Sequence, residues 1–460
     1  MFTRRQFITA GSFGVPLLIS PAWAEATPQA TPSGASISTP PTSAEIVPVW
    51  KSAQANLEAT AKPVLEAFWA ADADTIAAVA TDDIARLITA ANLASALDAL
   101  TQNQLQFAFA EVGAWFFGQF TGDRIAGTFV QGGAIDWYVL PEEKQTDSVP
   151  TGNWKGVIGP GVIDLGIELV FTGDADTLAV ALSTPSQFVF SVPMSEVQFV
   201  ADLPIGERID LSTKPAGGSI SSINFYGEEY VWGNHTVQLE SWWDSTGKLA
   251  SLALTPQPTL PATDEMEPIY ARLPFDGAWL VFWGGDTVFR NYHAATPSQR
   301  TAADIMIWRD GSTAFGDGSK PEDYWAFGQP YLAPVDGTIV IARDGFEDIT
   351  PQGPANPADH AAGNHVVIDT GGGFVYLAHC QQGSVLVAEG DVVMAGQQIA
   401  NIGNSGNTSE PHVHIHAQSV AEFGDPNAVA VPMVFTNLLV DGEPMESAML
   451  QAATIVENNA

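Results

Sequence analysis

Residues 403–418 read GNSGNTSEPHVHIHAQ and place three of the chain's eight histidines, His412, His414 and His416, at alternate positions. On a strand this spacing puts the three imidazoles on one face and Val413, Ile415 and Ala417 on the other. On a helix they would scatter, since residues two apart do not face each other there. A solvated strand face favours Lys, Thr and Glu, whereas imidazole is the usual ligand of a catalytic zinc that keeps one position open. The pattern predicts a metal-binding strand with an apolar face in a core. The preceding GNSGNTSEP reads as a tight turn presenting that strand, with Gly403 and Gly406 supplying positive φ.

Working outward, the C-terminal part continues in the same idiom. GAWLVFWGG, DIMIWRD, GTIVIARDG, NHVVIDTGGGFVYLAHC and GSVLVAEGDVVMAGQQIANIG are short strand-like runs separated by glycine-rich turns. Such spacing without a helical pattern predicts an all-β antiparallel sandwich or barrel. Seven of the eight histidines fall between 293 and 416. The lone His235, within a strand-like run, reads as structural. His-Glu-x-x-His and Gly-x-Ser-x-Gly are both absent from the sequence, so neither a glutamate-base metalloprotease nor a serine hydrolase is supported. Ser405 lies in the turn with no base beside it. Cys380 follows His379 directly, and strand alternation points it to the opposite, core face. His360 and His365 read as loop and strand surface, and Asn364, after Gly363, as shaping a turn.

These blocks resemble the lysostaphin-like (LytM-type) zinc endopeptidases of bacterial cell walls, and the resemblance covers roughly residues 285–420. It implies that His414, the second histidine of His-x-His, is a zinc ligand, and that the first, His412, is catalytic. It makes His379, in LAHC, the other catalytic histidine. The remaining ligands it calls for are placed at His293 and Asp304 in NYHAATPSQRTAADIMIW, for one Zn2+ per chain. Ten residues separate these two, where the best-known members have a short His-x-x-x-Asp; exported relatives with N-x-H…Q-R-x-x-x-D accommodate the longer loop. RDGSTAFGDGSKPEDYWAFGQP is an insertion expected at the rim of the groove. His416 has no role in the family pattern and is expected to support the metal ligands from behind. The implied activity is peptide hydrolysis in peptidoglycan cross-links or stem peptides. A non-catalytic wall-binding or regulatory relative, or a zinc peptidase with another peptide substrate, are the alternatives.

The length of 460 residues calls for several domains. TRRQFITA followed by FGVPLLISPAWA resembles a twin-arginine export signal over residues 1–24, which implies a mature chain beyond the cytoplasmic membrane. No other stretch is apolar and long enough to span a bilayer. Residues 25–46, rich in Pro, Ser and Thr, are expected as a disordered linker. Helical spacing from about 47 to 112, then alternating runs, predict an α+β accessory domain over 47–185, which resembles cone-shaped domains of the nuclear-transport-factor type. Residues 186–270 read as a β-rich middle region ending in a proline-rich linker, 271–425 as the peptidase domain, and 426–460 as a C-terminal extension. With 17 Lys+Arg against 52 Asp+Glu the net charge is −35, which argues against nucleic acid or an anionic membrane as partner. One cysteine excludes an internal disulfide, so packed cores and a bound metal are expected to stabilise the fold.

Overall fold

The computed structural model describes residues 39–459 apart from 100–103, 110–113, 131–133, 147, 161–163, 188, 201–207, 213–218, 221–222, 233–234, 245, 258–265, 289, 310, 316, 352–360 and 426. The expected signal, most of the expected linker and His360 lie outside the described residues. Two compact units result among the described residues: one within 58–215 and 225–260, the other within 39–57, 216–224 and 261–459. No helix among the described residues is long and apolar enough to cross a membrane. The chain is mostly β structure with few helices.

In the first unit, short helices Ala73–Val79, Asp82–Leu87 and Ala90–Ala99 precede an antiparallel meander. Asp72 caps the first of them, accepting from the Thr75 amide. The meander starts earlier than its sequence suggests: Gln104–Phe109, read as helical, is its first strand. Leu105 and Phe107 alternate onto a buried aromatic face with Phe116, Trp137 and Phe171, so the period of two prevails. Eight strand segments follow, and the last two, Val189–Pro193 and Ser195–Val200, flank Met194. One pairs with Ala179–Thr184 and the other returns to Gln104–Phe109, which closes the sheet on itself. The expected boundary at residue 185 therefore falls inside one sheet. Large side chains fill the interior where small ones make room: a Cβ on Gly118 would lie 2.8 Å from the Trp137 ring. Arg208–Ser212, Ile223–Trp232, His235–Trp243 and Leu249–Gln257 follow each other in a second antiparallel sheet.

The second unit carries the histidine strand, Val413–Gln418, at the centre of its large sheet. Across that sheet run Ile269–Ala271, Met433–Val440, Thr454–Asn458, Trp279–Trp283, Ala303–Met306, the histidine strand, Phe374–Cys380, Asn364–Asp369, Gly337–Arg343 and Val392–Val393. Pairing is antiparallel except that Ile269–Ala271 runs parallel to Met433–Val440. Residues 426–460 are thus no appendage, for Thr454–Asn458 pairs directly with Trp279–Trp283. Val413, Ile415, Ala417 and Cys380 lie in one apolar core with Ile305, Val366 and Leu377. The run AWLVFW is apolar throughout because both faces of its strand are buried. Val281 enters that core, while Leu280 packs with Ile46, Val47 and Trp50 of a helix that begins at Ser43, inside the stretch expected as linker. The Trp50 indole donates to the Ala453 carbonyl at 3.2 Å and meets Trp308 edge-on at 5.0 Å.

Candidate metal centre

Register brings the key side chains together. Asp304 on Ala303–Met306 lies directly opposite His414, and Ala378, beside His379, lies opposite His414 on its other flank. Tyr331 fixes the same strand from the core by donating to the His414 carbonyl at 2.8 Å. The ten residues between His293 and Asp304 fold as two 3-10 turns, Tyr292–Ala295 and Pro297–Gln299. They leave His293 Nε2 3.6 Å from Asp304 Oδ2. His414 Nδ1 is 2.8 Å from Asp304 Oδ1, and His412 Nε2 is 3.4 Å from the same oxygen. The potential ligand atoms of His293, Asp304 and His414 lie within 4.8 Å of one another, as do those of His379, His412 and His414. All five side chains are buried.

Three of the rings are fixed by their Nδ1 atoms. His293 Nδ1 donates to Asn291 Oδ1 at 2.9 Å, and this oxygen is committed to accepting because the Asn291 amide nitrogen donates to the carbonyls of Gly285 and Ala302. His379 Nδ1 donates to the Ser405 carbonyl at 2.8 Å, and His412 Nδ1 to the Glu410 carbonyl at 2.7 Å. In the neutral form each therefore offers a bare Nε2. Bare imidazole nitrogen beside a buried carboxylate suits a cation, and two nitrogens with one oxygen match a zinc site whose remaining positions stay open. His293, Asp304 and His414 fit that metal.

The local field is uneven. Burial opposes the charge on Asp304, yet the neighbouring His293 and His412, with the His412 and His414 rings in contact with its oxygens, hold its carboxyl well below the usual range. Burial and the neighbouring His412 and His414 push His379 well below its ordinary value. Burial also opposes charge on His412, but Asp304 together with the backbone and carboxylate of Glu410 outweighs it and raises the value. His379 further sits at φ 61°, a left-handed conformation rare for a residue with a Cβ.

The surroundings revise several expectations. Gly406 has φ +92°, but Gly403 lacks positive φ; it is needed for space, since a Cβ there would lie 2.3 Å from the Gln381 backbone. His365 is buried, not at the surface, because its ring lies flat beside Tyr376 at 6.1 Å and its Nδ1 donates to the Gly363 carbonyl. Asn364 ties two loops together, accepting from the Phe346 amide and donating to the Phe346 and Cys380 carbonyls. Ser405 serves through its backbone and its hydroxyl, which donates to the Cys380 carbonyl at 2.8 Å. His235 opens the strand His235–Trp243, in the other unit. His416 stands behind His414, with its Nδ1 3.0 Å from His414 Nε2. Sequence reasoning gave no role to Asn291 or Gln418; the one available signal was the Asn-x-His spacing at 291–293. It also missed Glu410, a fully buried carboxyl beside Thr313.

The profile of Peptidase family M23 matches residues 323–426. That span contains His379, His412 and His414, while His293 and Asp304 precede it. Among solved structures, the chain is similar to the catalytic domain of the antimicrobial peptidase lysostaphin from Staphylococcus simulans, at 20% identity over 28% of this chain and 73% of that one, with a TM-score of 0.19. It is similar to the catalytic domain, in a mutant form, of the prophage-encoded M23 protein EnpA from Enterococcus faecalis at 22% identity over 27% of this chain and 78% of that one, TM-score 0.18. A zinc containing peptidase from Vibrio cholerae matches at 11% identity over 70% and 85%, TM-score 0.19.

Proposed function

With residues 323–426 forming a LytM-type domain of peptidase family M23, we propose that the chain is an exported zinc endopeptidase that hydrolyses peptide bonds of peptidoglycan cross-links or stem peptides. One observation carries the proposal: His293, Asp304 and His414 converge, and His379 and His412 flank the same point with their Nδ1 atoms tied to backbone carbonyls. His293, Asp304 and His414 would hold a zinc ion, which when bound would supply Lewis acidity at the scissile carbonyl. The protein's own work is done by two imidazoles. Each has its orientation set from behind and its Nε2 turned to the reaction site. One accepts the proton of the attacking water and returns it to the leaving amide nitrogen, while the pair together stabilises the oxyanion that develops.

The test is cleavage of purified peptidoglycan and of glycine-rich and non-wall peptides, with chelator and after zinc is restored. Zinc-dependent release of wall peptides is expected. Activity only on other peptides would reassign the substrate, and silence on every substrate by a zinc-loaded chain would favour a binding role. The net charge of −35 makes the wall assay informative, because anionic wall polymers would repel such a surface.

A further inference from the structure

The third histidine of the opening motif is buried to the same depth as Gln418, two residues on, and both are fully shielded. Gln418 donates its two amide hydrogens to the carbonyls of Val420 and Glu422, at 2.7 and 2.9 Å. Its Oε1 is therefore the atom that faces His416 Nε2, 3.3 Å away. A carbonyl oxygen only accepts, so His416 Nε2 must carry the hydrogen. In a neutral ring that leaves His416 Nδ1 bare. It can then accept from His414 Nε2 at 3.0 Å, which puts His414's hydrogen on Nε2 and its lone pair on Nδ1, the atom beside Asp304.

The opposite polarity breaks down. If His414 Nδ1 donated to Asp304 and His416 Nδ1 donated to His414, His416 Nε2 would turn a lone pair on Gln418 Oε1. Rotating the amide would only turn that oxygen onto the two carbonyls. Each alternative leaves facing acceptors at Gln418, where the surroundings offer nothing to part them; the favoured polarity leaves them only at His414 Nδ1 and Asp304 Oδ1, where a cation would stand between them. The plane of His416 is also held: Tyr376 stacks on it at 4.7 Å and 11°, and Phe423 meets its edge. Tyr376 in turn donates to the Ala421 carbonyl, so the same turn that orients Gln418 anchors the stacking ring.

We propose that His416 is a positioning residue which, with Gln418, locks His414 in the tautomer protonated on Nε2 and so presents Nδ1 as the ligand atom. The proposal rests on the metal-site reading above. It commits the site to metal, because a bare Nδ1 and the Asp304 carboxylate, 2.8 Å apart, share no hydrogen of their own.

Two measurements on the full chain test it. Histidine-selective heteronuclear NMR of the metal-free protein is expected to show His416 protonated on Nε2 with Nδ1 bare; protonation on Nδ1, or on both, would overturn the relay. Titration with Zn2+ against a chromophoric chelator is expected to show binding weakened about 10–100-fold by His416→Leu and by Gln418→Leu. His416→Asn, whose Oδ1 can stand in for Nδ1 as acceptor, should recover most of that loss. Wild-type affinity in both leucine variants would sink the relay, and the asparagine rescue separates it from a packing effect. A wild-type chain that does not bind Zn2+ would instead refute the metal reading, while the tautomer of His416 still decides the relay.

Discussion

His379 and His412 occupy different settings although the sequence presents them as equivalent. His379 is held in a left-handed backbone conformation and kept from charge by burial and its neighbours, whereas His412 faces the Asp304 carboxylate. Neither is needed to complete the set of His293, Asp304 and His414. Replacing either by alanine is therefore expected to lower kcat by roughly 10²–10⁴-fold with zinc content unchanged, as read by steady-state kinetics beside metal analysis. Full activity in either variant would remove that residue from the chemistry. Glu410 gives a residue-scale prediction about stability. Burial pushes its carboxyl from 4.5 up to about 7, with Thr313 and His412 pulling the other way. The folded chain then holds a proton that the unfolded chain releases between those values. Stability is full below about 4.5 and falls as pH rises toward 7, by roughly 3 kcal/mol for such a shift. In chelated protein, Glu410→Gln should flatten this fall and stabilise the fold at pH 8; parallel stability curves would contradict it.

At the scale of elements, the site depends on strand register. A slip of one residue would turn His414 and His416 into the core and Val413, Ile415 and Ala417 out of it. The turn ahead of the strand helps to set that register, and Gly403→Ala should disturb it because the new Cβ meets the Gln381 backbone. Weakened zinc binding and a lower melting temperature are expected; an unchanged Tm would show that the turn yields freely. This level also shows what was legible in the sequence. Alternation of His412, His414 and His416 with Val413, Ile415 and Ala417 reveals a strand and its two faces, because period two is local. It says nothing of the partner strand, so the opposition of Asp304 and His414 was accessible only through the family resemblance. The same limit hid the contributions of Met433–Val440 and Thr454–Asn458, which pair with strands far away in sequence. Gln104–Phe109 was misread because its apolar residues fit helical spacing as well as alternation, and only closure of the sheet decides between them. His365 was misplaced because burial of a lone histidine depends on a ring, Tyr376, brought from the neighbouring strand.

At the scale of the molecule, the metal-centre unit recruits residues well outside the profile match. His293 and Asp304 precede it, the last strands follow it, and Trp50 comes from a helix near the start of the described chain. That His293 and Asp304 would complete the centre with His414 is therefore a claim the profile alone does not carry. Two overlapping triads share His414, so metal binding as such would not distinguish them. The deciding measurement is anomalous diffraction at the zinc edge from crystals of the full chain. The account predicts one peak within about 2.0–2.2 Å of His293 Nε2, an Asp304 carboxylate oxygen and His414 Nδ1, with His379 and His412 beside it and not bound. A peak centred on His379, His412 and His414, or none in zinc-soaked crystals, would contradict it.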